Sequence, residues 1–347
     1  MSVGTTSPAL SYRCAPWTQE QGVDPIGSAL TCDTFVLVEI PPPWPHDVSE
    51  IPAFAEVMRR GLRRTRLLAA APADDPGGDP AGRPADRLDP RAGVLVTLWC
   101  RQASNRFRGT DHMVPHDRLA EGLVRLLSGV DALGMNDRGV DALSVDDLGM
   151  STAARTAPAE VLLCGHGVRD RCCGREGVRL QLEVASAWPG VRVRRCSHTG
   201  GHRFAPTGFT LPDGRAWGFL DAAALDGIIG RGGRPTDLRG RYRGTTALDR
   251  WGQVVERELF ERFGWGWLDH ELISARTEVA DGGRTATVEL AWQGPAGSGT
   301  ATASVEVVRD VPVLVCGEPP ELAEKTNPEL ALRSITISSD REQGARV

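Results

Sequence analysis

The residues able to do chemistry in this chain gather in two short segments. The first is Cys164-Gly165-His166-Gly167-Val168-Arg169-Asp170-Arg171-Cys172-Cys173-Gly174. The second is Ser197-His198-Thr199-Gly200-Gly201-His202-Arg203-Phe204. Two thiols at a loop-forming spacing and two imidazoles four positions apart make four soft or borderline donors. Such a set suits zinc or an iron–sulfur cluster. Glycines at 165, 167 and 174 let the first segment wrap and turn backbone N–H groups toward an anionic sulfur. Gly200-Gly201 argues against a regular helix from His198 to His202 and for a tight loop that turns both rings to one side.

The spacing bears on which metal. Structural zinc usually takes cysteines two to four residues apart, whereas eight residues separate Cys164 from Cys173. That longer loop can span a binuclear cluster, one iron on thiolates and the other on imidazoles. Two neutral imidazoles in place of two thiolates make a cluster less negative and favour its reduced state. A metal-bound imidazole can lose its second proton on oxidation, coupling electron to proton transfer. A structural zinc module uses the same four donors and stays open as an alternative. A thiol oxidoreductase is a third reading, but such enzymes carry C-x-x-C, and no two cysteines of this chain have that spacing.

At these residues the sequence resembles the sucrase/ferredoxin-like family, whose members contain a thioredoxin-like ferredoxin domain. The matching positions are Cys164, Gly165, His166, Arg169, Asp170 and Cys173, then Ser197, His198, Gly200, Gly201, His202, Arg203 and Phe204. Leu37-Val38-Glu39 followed by Pro-x-Trp-Pro extends the likeness toward the N-terminus. The resemblance implies a [2Fe–2S] cluster on Cys164, Cys173, His198 and His202, and an electron-transfer role with a redox partner it does not identify. Cys172 stands where relatives carry arginine, so either neighbouring thiol could be the second ligand. The family name implies no glycosidase here, because no carboxylate pair sits in a glycosidase context.

Other candidates read as structural. Cys196 is expected to be a buried strand cysteine, and His166 a supporting residue rather than a ligand. Arg169 and Asp170 read as a solvated charge pair or a loop-orienting pair. His112-Met113-Val114-Pro115-His116 repeats the histidine spacing, yet it has no paired cysteine loop and Pro115 blocks helical display, so a surface loop is expected. Trp188, Trp217, Trp251, Trp265 and Trp267 are simplest as core or interface residues. Gly230-Arg231-Gly232-Gly233 follows a helix and does not make a phosphate loop.

The elements that must position these groups suggest an α/β fold in three regions: an N-terminal α/β region at 1–155, a thioredoxin-like ferredoxin domain at 156–246, and a C-terminal α+β extension with a loose tail at 247–347. In the first, strands are predicted at 34–40, 66–70 and 94–99. A helix capped by Ser49 carries Ile51, Phe54, Val57 and Met58 on one face, and another covers 117–127. Residues 71–92 read as a loop, and 130–133 and 140–143 are near-duplicates too short for a repeat architecture. In the second region, strands at 160–163 and 191–196 flank a helix at 177–187. A hairpin then turns at Pro212-Asp213-Gly214, and Asp221 caps a further helix. In the third, a helix at 248–263 precedes an antiparallel meander with strands near 273–279, 284–292, 300–308 and 311–316. Residues 320–347, poor in large apolar side chains, are expected to trail off.

Composition narrows the partners. The 347 residues carry a net charge of −5, which argues against nucleic-acid binding on a basic surface. All but one of the 40 basic residues are arginine, the exception being Lys325. They are dispersed among acidic residues. No apolar run approaches the roughly 20 residues of a membrane helix, and Met1–Arg13 has no signal-peptide pattern. The expectation is a cytoplasmic protein, in which clustered cysteines signal metal or redox chemistry.

Overall fold

The computed structural model describes residues 12–61, 64–73, 93–102, 106–133, 154–295 and 297–340. Helix α1 (Cys14–Glu20) precedes strand β1 (Thr34–Glu39), helix α2 (Pro52–Met58) and strand β2 (Thr65–Ala70), which lies parallel to β1. Strand β3 (Val94–Arg101) pairs antiparallel with β1 on its other side, and β4 (Phe107–Val114) pairs with β3. Helix α3 (Leu119–Leu133) and the short β5 (Arg155–Thr156), on the edge of β4, complete this half. The unbroken apolar run of β1 buries both faces of the sheet. Val36 and Val38 pack with Phe54, Val57, Leu98 and Leu123, while Phe35 and Leu37 pack with Leu68, Trp99 and Phe209.

The same path is then repeated. Strand β6 (Ala159–Cys164) leads through a π-turn at Cys173–Gly177 and helix α4 (Val178–Val184) to the parallel strand β7 (Val191–Cys196). Strand β8 (Gly208–Leu211) pairs antiparallel with β6, and β9 (Arg215–Trp217) with β8. Helix α5 (Ala222–Ile229) and strand β10 (Tyr242–Thr245) follow. The order β2-β1-β3-β4 in one half thus matches β7-β6-β8-β9 in the other, within a single ten-stranded sheet. The halves meet where Ala70 of β2 pairs antiparallel with Cys196 of β7. Flanking bonds run from the Ser197 amide to the Ala69 carbonyl (2.7 Å) and from the Ala71 amide to the Arg195 carbonyl (2.8 Å).

A buried ion pair stitches the two halves together. Arg194 of β7 binds Glu160 of β6, both side chains fully buried. Glu160 also accepts from Trp99 Nε1 (3.1 Å), and Arg194 donates to Thr97 Oγ1 (3.1 Å), both on β3. Replacing Glu160 with leucine strands a buried guanidinium. The expected cost is about 3–5 kcal/mol, measurable as a lowered urea midpoint with unchanged m-value.

Helix α6 (Arg250–Phe263) starts at Asp249, whose carboxylate accepts from the Trp251 and Gly252 amides (3.0 and 2.8 Å). Its Val254, Val255 and Leu259 fill the space between the large sheet (Val161, Leu163) and a second sheet (Val288, Leu290, Val305). That second sheet is the meander β11 (Glu271–Val279), β12 (Thr285–Gln293), β13 (Gly299–Pro312) and β14 (Thr326–Ser339).

Five local expectations need correction. The N-terminal cap before α2 is Asp47, which accepts from the Ser49 amide and opens a single 3-10 turn, and Pro52 then starts the helix. Met58 is half exposed. In place of separate strands at 300–308 and 311–316, one strand runs from Gly299 to Pro312 with register shifts at Ser304/Val305 and Val307/Arg309, and residues 313–316 lie beyond it. Residues 326–339 do not trail off but pair with β13 along their length, because a strand buried on one face needs apolar side chains only intermittently, here Leu330, Leu332, Ile335 and Ile337. His112 lies in β4 rather than a surface loop, buried, with its Nε2 2.9 Å from Thr110 Oγ1. Residues 130–133 form the end of α3, whereas their near-duplicate at 140–143 and most of the expected loop at 71–92 fall outside the described residues.

Candidate metal centre

Strands β6 and β7 run parallel and end in register, with Cys164 opposite Cys196. The segments that leave their C-terminal ends therefore start side by side, and these are the two segments rich in donors. After Cys164 the chain doubles back: the Asp170 amide binds the His166 carbonyl and the Gly174 amide the Asp170 carbonyl, each at 3.0 Å. The Asp170 carboxylate accepts from the amides of Cys172 (2.8 Å) and Cys173 (3.1 Å), so it caps the turn that begins there. The π-turn then carries Cys173 back against Cys164. Gly177 closes this turn against the Cys164 carbonyl, where a Cβ would overlap the oxygen.

Cys164 and Cys173 are fully buried. The neighbouring Cys173 thiol and His198 ring hold Cys164 well below the usual thiol range, and the Cys164 neighbour together with burial pushes Cys173 well above it. Gly200 (φ 82°) and Gly201 (φ 69°) take the left-handed backbone that turns the second segment over the sulfurs. The His198 and His202 ring centroids lie 6.2 Å apart. The Nδ1 atoms of both rings are buried without a hydrogen-bond partner. His202 Nδ1 faces Asp170 at 2.8 Å but is not aligned for a hydrogen bond.

The N-terminal half closes over the other side. His166 uses both ring nitrogens: Nδ1 accepts from the His198 amide (3.3 Å), so Nε2–H donates to the Pro45 carbonyl (2.9 Å). Burial pushes its pKa down, in keeping with this neutral tautomer. His166 therefore supports the histidine loop and has no lone pair left for a metal. Arg169 Nη1 donates to the His46 carbonyl (3.0 Å), and Arg66 donates to the His198 carbonyl. Arg243, buried, donates to the Gly200 carbonyl (3.0 Å) and to the Ser28 carbonyl (2.6 Å). These guanidiniums place positive charge around the sulfurs. Cys196 is fully buried and its thiol is pushed well up by burial, as an inert strand cysteine. Arg169 and Asp170 do not pair with each other, and Asp170 is buried rather than solvated.

The sequence gives no hint of a second sulfur group. Cys14 of α1, Cys172 and Cys316 converge, with Sγ–Sγ distances of 3.2 Å for Cys172–Cys316 and 3.3 Å for Cys316–Cys14. With Asp170, their donor atoms all lie within 4.8 Å of one another, close enough to hold one metal ion. Cys172 is thus turned away from Cys164 toward partners distant in sequence. Cavities of about 590 Å³ beside His202 and about 430 Å³ beside His198 reach the histidine side of the first site. Arg66, Arg169 and His46 line the smaller one.

These features define an α/β protein with a cysteine-rich group close enough to hold a metal. The chain belongs to the sucrase/ferredoxin-like family, whose match covers residues 25–244. That span includes both halves of the large sheet and ends before α6 and the second sheet. No curated protein and no solved structure matches the chain. The family assignment suggests a redox-type role. No helix among the described residues is long and apolar enough to cross a membrane.

Proposed function

We propose that the protein is an electron carrier that holds a [2Fe–2S] cluster on Cys164, Cys173, His198 and His202. The observation that carries this reading is that two buried thiols and two neighbouring histidines leave adjoining strand ends, with both histidine Nδ1 atoms buried and making no hydrogen bond. Buried nitrogens that make no hydrogen bond are costly unless something binds them, and two buried thiols on adjoining turns suit a soft cation. When bound, the cluster supplies one-electron chemistry. The repeated β-α-β-β-β path supports a thioredoxin-like kinship for the 156–246 region.

The residues around the site divide the work. Cys164 and Cys173, fully buried, keep the sulfur side dry. His198 and His202, half-buried beside the two cavities, form the side from which an electron enters or leaves a partner protein. Arg66 and Arg243 offset the negative charge gained on reduction. His166 and Asp170 fix the loop and ring positions. Because the histidines reach solvent, proton loss can accompany oxidation, and the potential then falls as pH rises.

His198→Cys or His202→Cys is expected to retain a cluster at lower potential. Each added thiolate carries a negative charge, and full replacement of two histidines by cysteines spans on the order of several hundred mV. Dye-mediated redox titration checks the shift. Iron and acid-labile sulfide in the purified protein, with absorption that bleaches on dithionite, test the function itself. The donor set also suits structural zinc, and zinc without iron or sulfide at these four residues would overturn the electron-carrier reading.

A further inference from the structure

We infer that Cys14, Cys172 and Cys316, with Asp170 as fourth donor, form a second metal site that takes a mononuclear soft divalent ion, zinc. The inference uses none of the four proposed cluster ligands, although Asp170 Oδ2 also lies 2.8 Å from His202 Nδ1. Three chain segments far apart in sequence bring their sulfurs to one point: the first turn of α1, the loop after β6, and the segment after β13. Cys14 and Cys172 are buried, in a pocket shared with Ala15 and Leu314. Three converging thiols cannot be paired off as disulfides without leaving one over. A tetrahedral zinc with Zn–S about 2.3 Å sets its sulfurs about 3.8 Å apart, so the observed 3.2 and 3.3 Å need an outward shift of about half an ångström. A disulfide needs about 2.05 Å, a larger movement inward.

The surroundings suit such an ion. Asp170 Oδ2 lies 3.5 Å from Cys14 Sγ, while its Oδ1 is held by the Cys172 and Cys173 amides, so the carboxylate is already oriented. Arg13, bonded to Glu176 at 2.5 Å, stands beside Cys172 and offsets the charge of three thiolates around a divalent ion. Binding forms one Zn–S bond at each sulfur and releases the thiol protons to solvent. No electrons move. Cys14 and Cys316 lie outside the span matched by the family, and Asp170 and Cys172 lie inside it. The site would pin α1 and the segment after β13 to the loop that carries Cys173.

Zinc-edge X-ray absorption on the full-length, iron-loaded protein, purified with zinc present, tests this. The expected result is about one zinc per chain, with three sulfurs near 2.3 Å and one oxygen near 2.0 Å. Cys14→Ser and Cys316→Ser should each lower zinc content at least tenfold while leaving iron and sulfide in place. Zinc unchanged in both variants, or an iron-loaded protein that binds no zinc, would overturn the site. A shell of two sulfurs and two nitrogens would also overturn it, and by placing zinc at Cys164, Cys173, His198 and His202 would count separately against the electron carrier.

Discussion

Cys164→Ser and Cys173→Ser are each expected to give a folded protein that is colourless and holds less than about a tenth of the wild-type iron. A serine hydroxyl is a poor ligand for iron at neutral pH, and the soft thiolate is what selects an iron–sulfur cluster. Both sulfurs are fully buried, so removing either leaves the cluster one thiolate short. Cys172 cannot step in for Cys173 without reversing the turn, because its sulfur lies against Cys316 on the other side. Cys172→Ser is therefore expected to keep the iron. Iron and sulfide analysis with far-ultraviolet circular dichroism separates loss of the cluster from loss of the fold.

Gly177→Ala is expected to be the most damaging single-methyl change in the site. The new Cβ would overlap the Cys164 carbonyl oxygen, which is backbone and cannot swing aside. Either β6 or the π-turn must move. Overpacking of this kind costs about 1–3 kcal/mol and sometimes more. Because the displaced residue is Cys164 itself, the sulfur pair should open as well. The expected outcome is a lower urea midpoint together with at least a several-fold loss of iron retained after desalting. A variant that loses stability but keeps full iron would show that the π-turn does not set the sulfur spacing.

Much of the frame was legible because burial leaves a pattern. The apolar runs of β1, β2, β3 and β6 and the apolar stripe of α6 all follow from it. So did the Asp213-Gly214 turn and the Asp221 cap. What failed were elements whose pattern is diluted. β4 alternates Arg108, Asp111 and His112 with small or apolar residues, and β14 carries few large ones. The duplication of the two halves is invisible in sequence because it survives in path and pairing, not in side chains.

The site divides in the same way. Cys164, Cys173, His198 and His202 were readable because each pair is local and its glycines announce a tight loop. The grip of the N-terminal half was not readable, since the Pro45 and His46 carbonyls and Arg66 act through backbone contacts across the sheet. Nor was Asp170, whose partners decide whether it is a surface charge or a buried cap. The Cys14–Cys172–Cys316 group lay beyond reach altogether: single cysteines more than a hundred residues apart carry no spacing signal.

Electron paramagnetic resonance of the dithionite-reduced protein, with pulsed detection of nitrogen coupling, bears most directly on the central claim. The account predicts a reduced binuclear iron signal coupled to nitrogens of two imidazoles, one coupling disappearing in each of His198→Cys and His202→Cys. Protein that stays silent and iron-free after anaerobic reconstitution, or an iron signal with no nitrogen coupling, would contradict it.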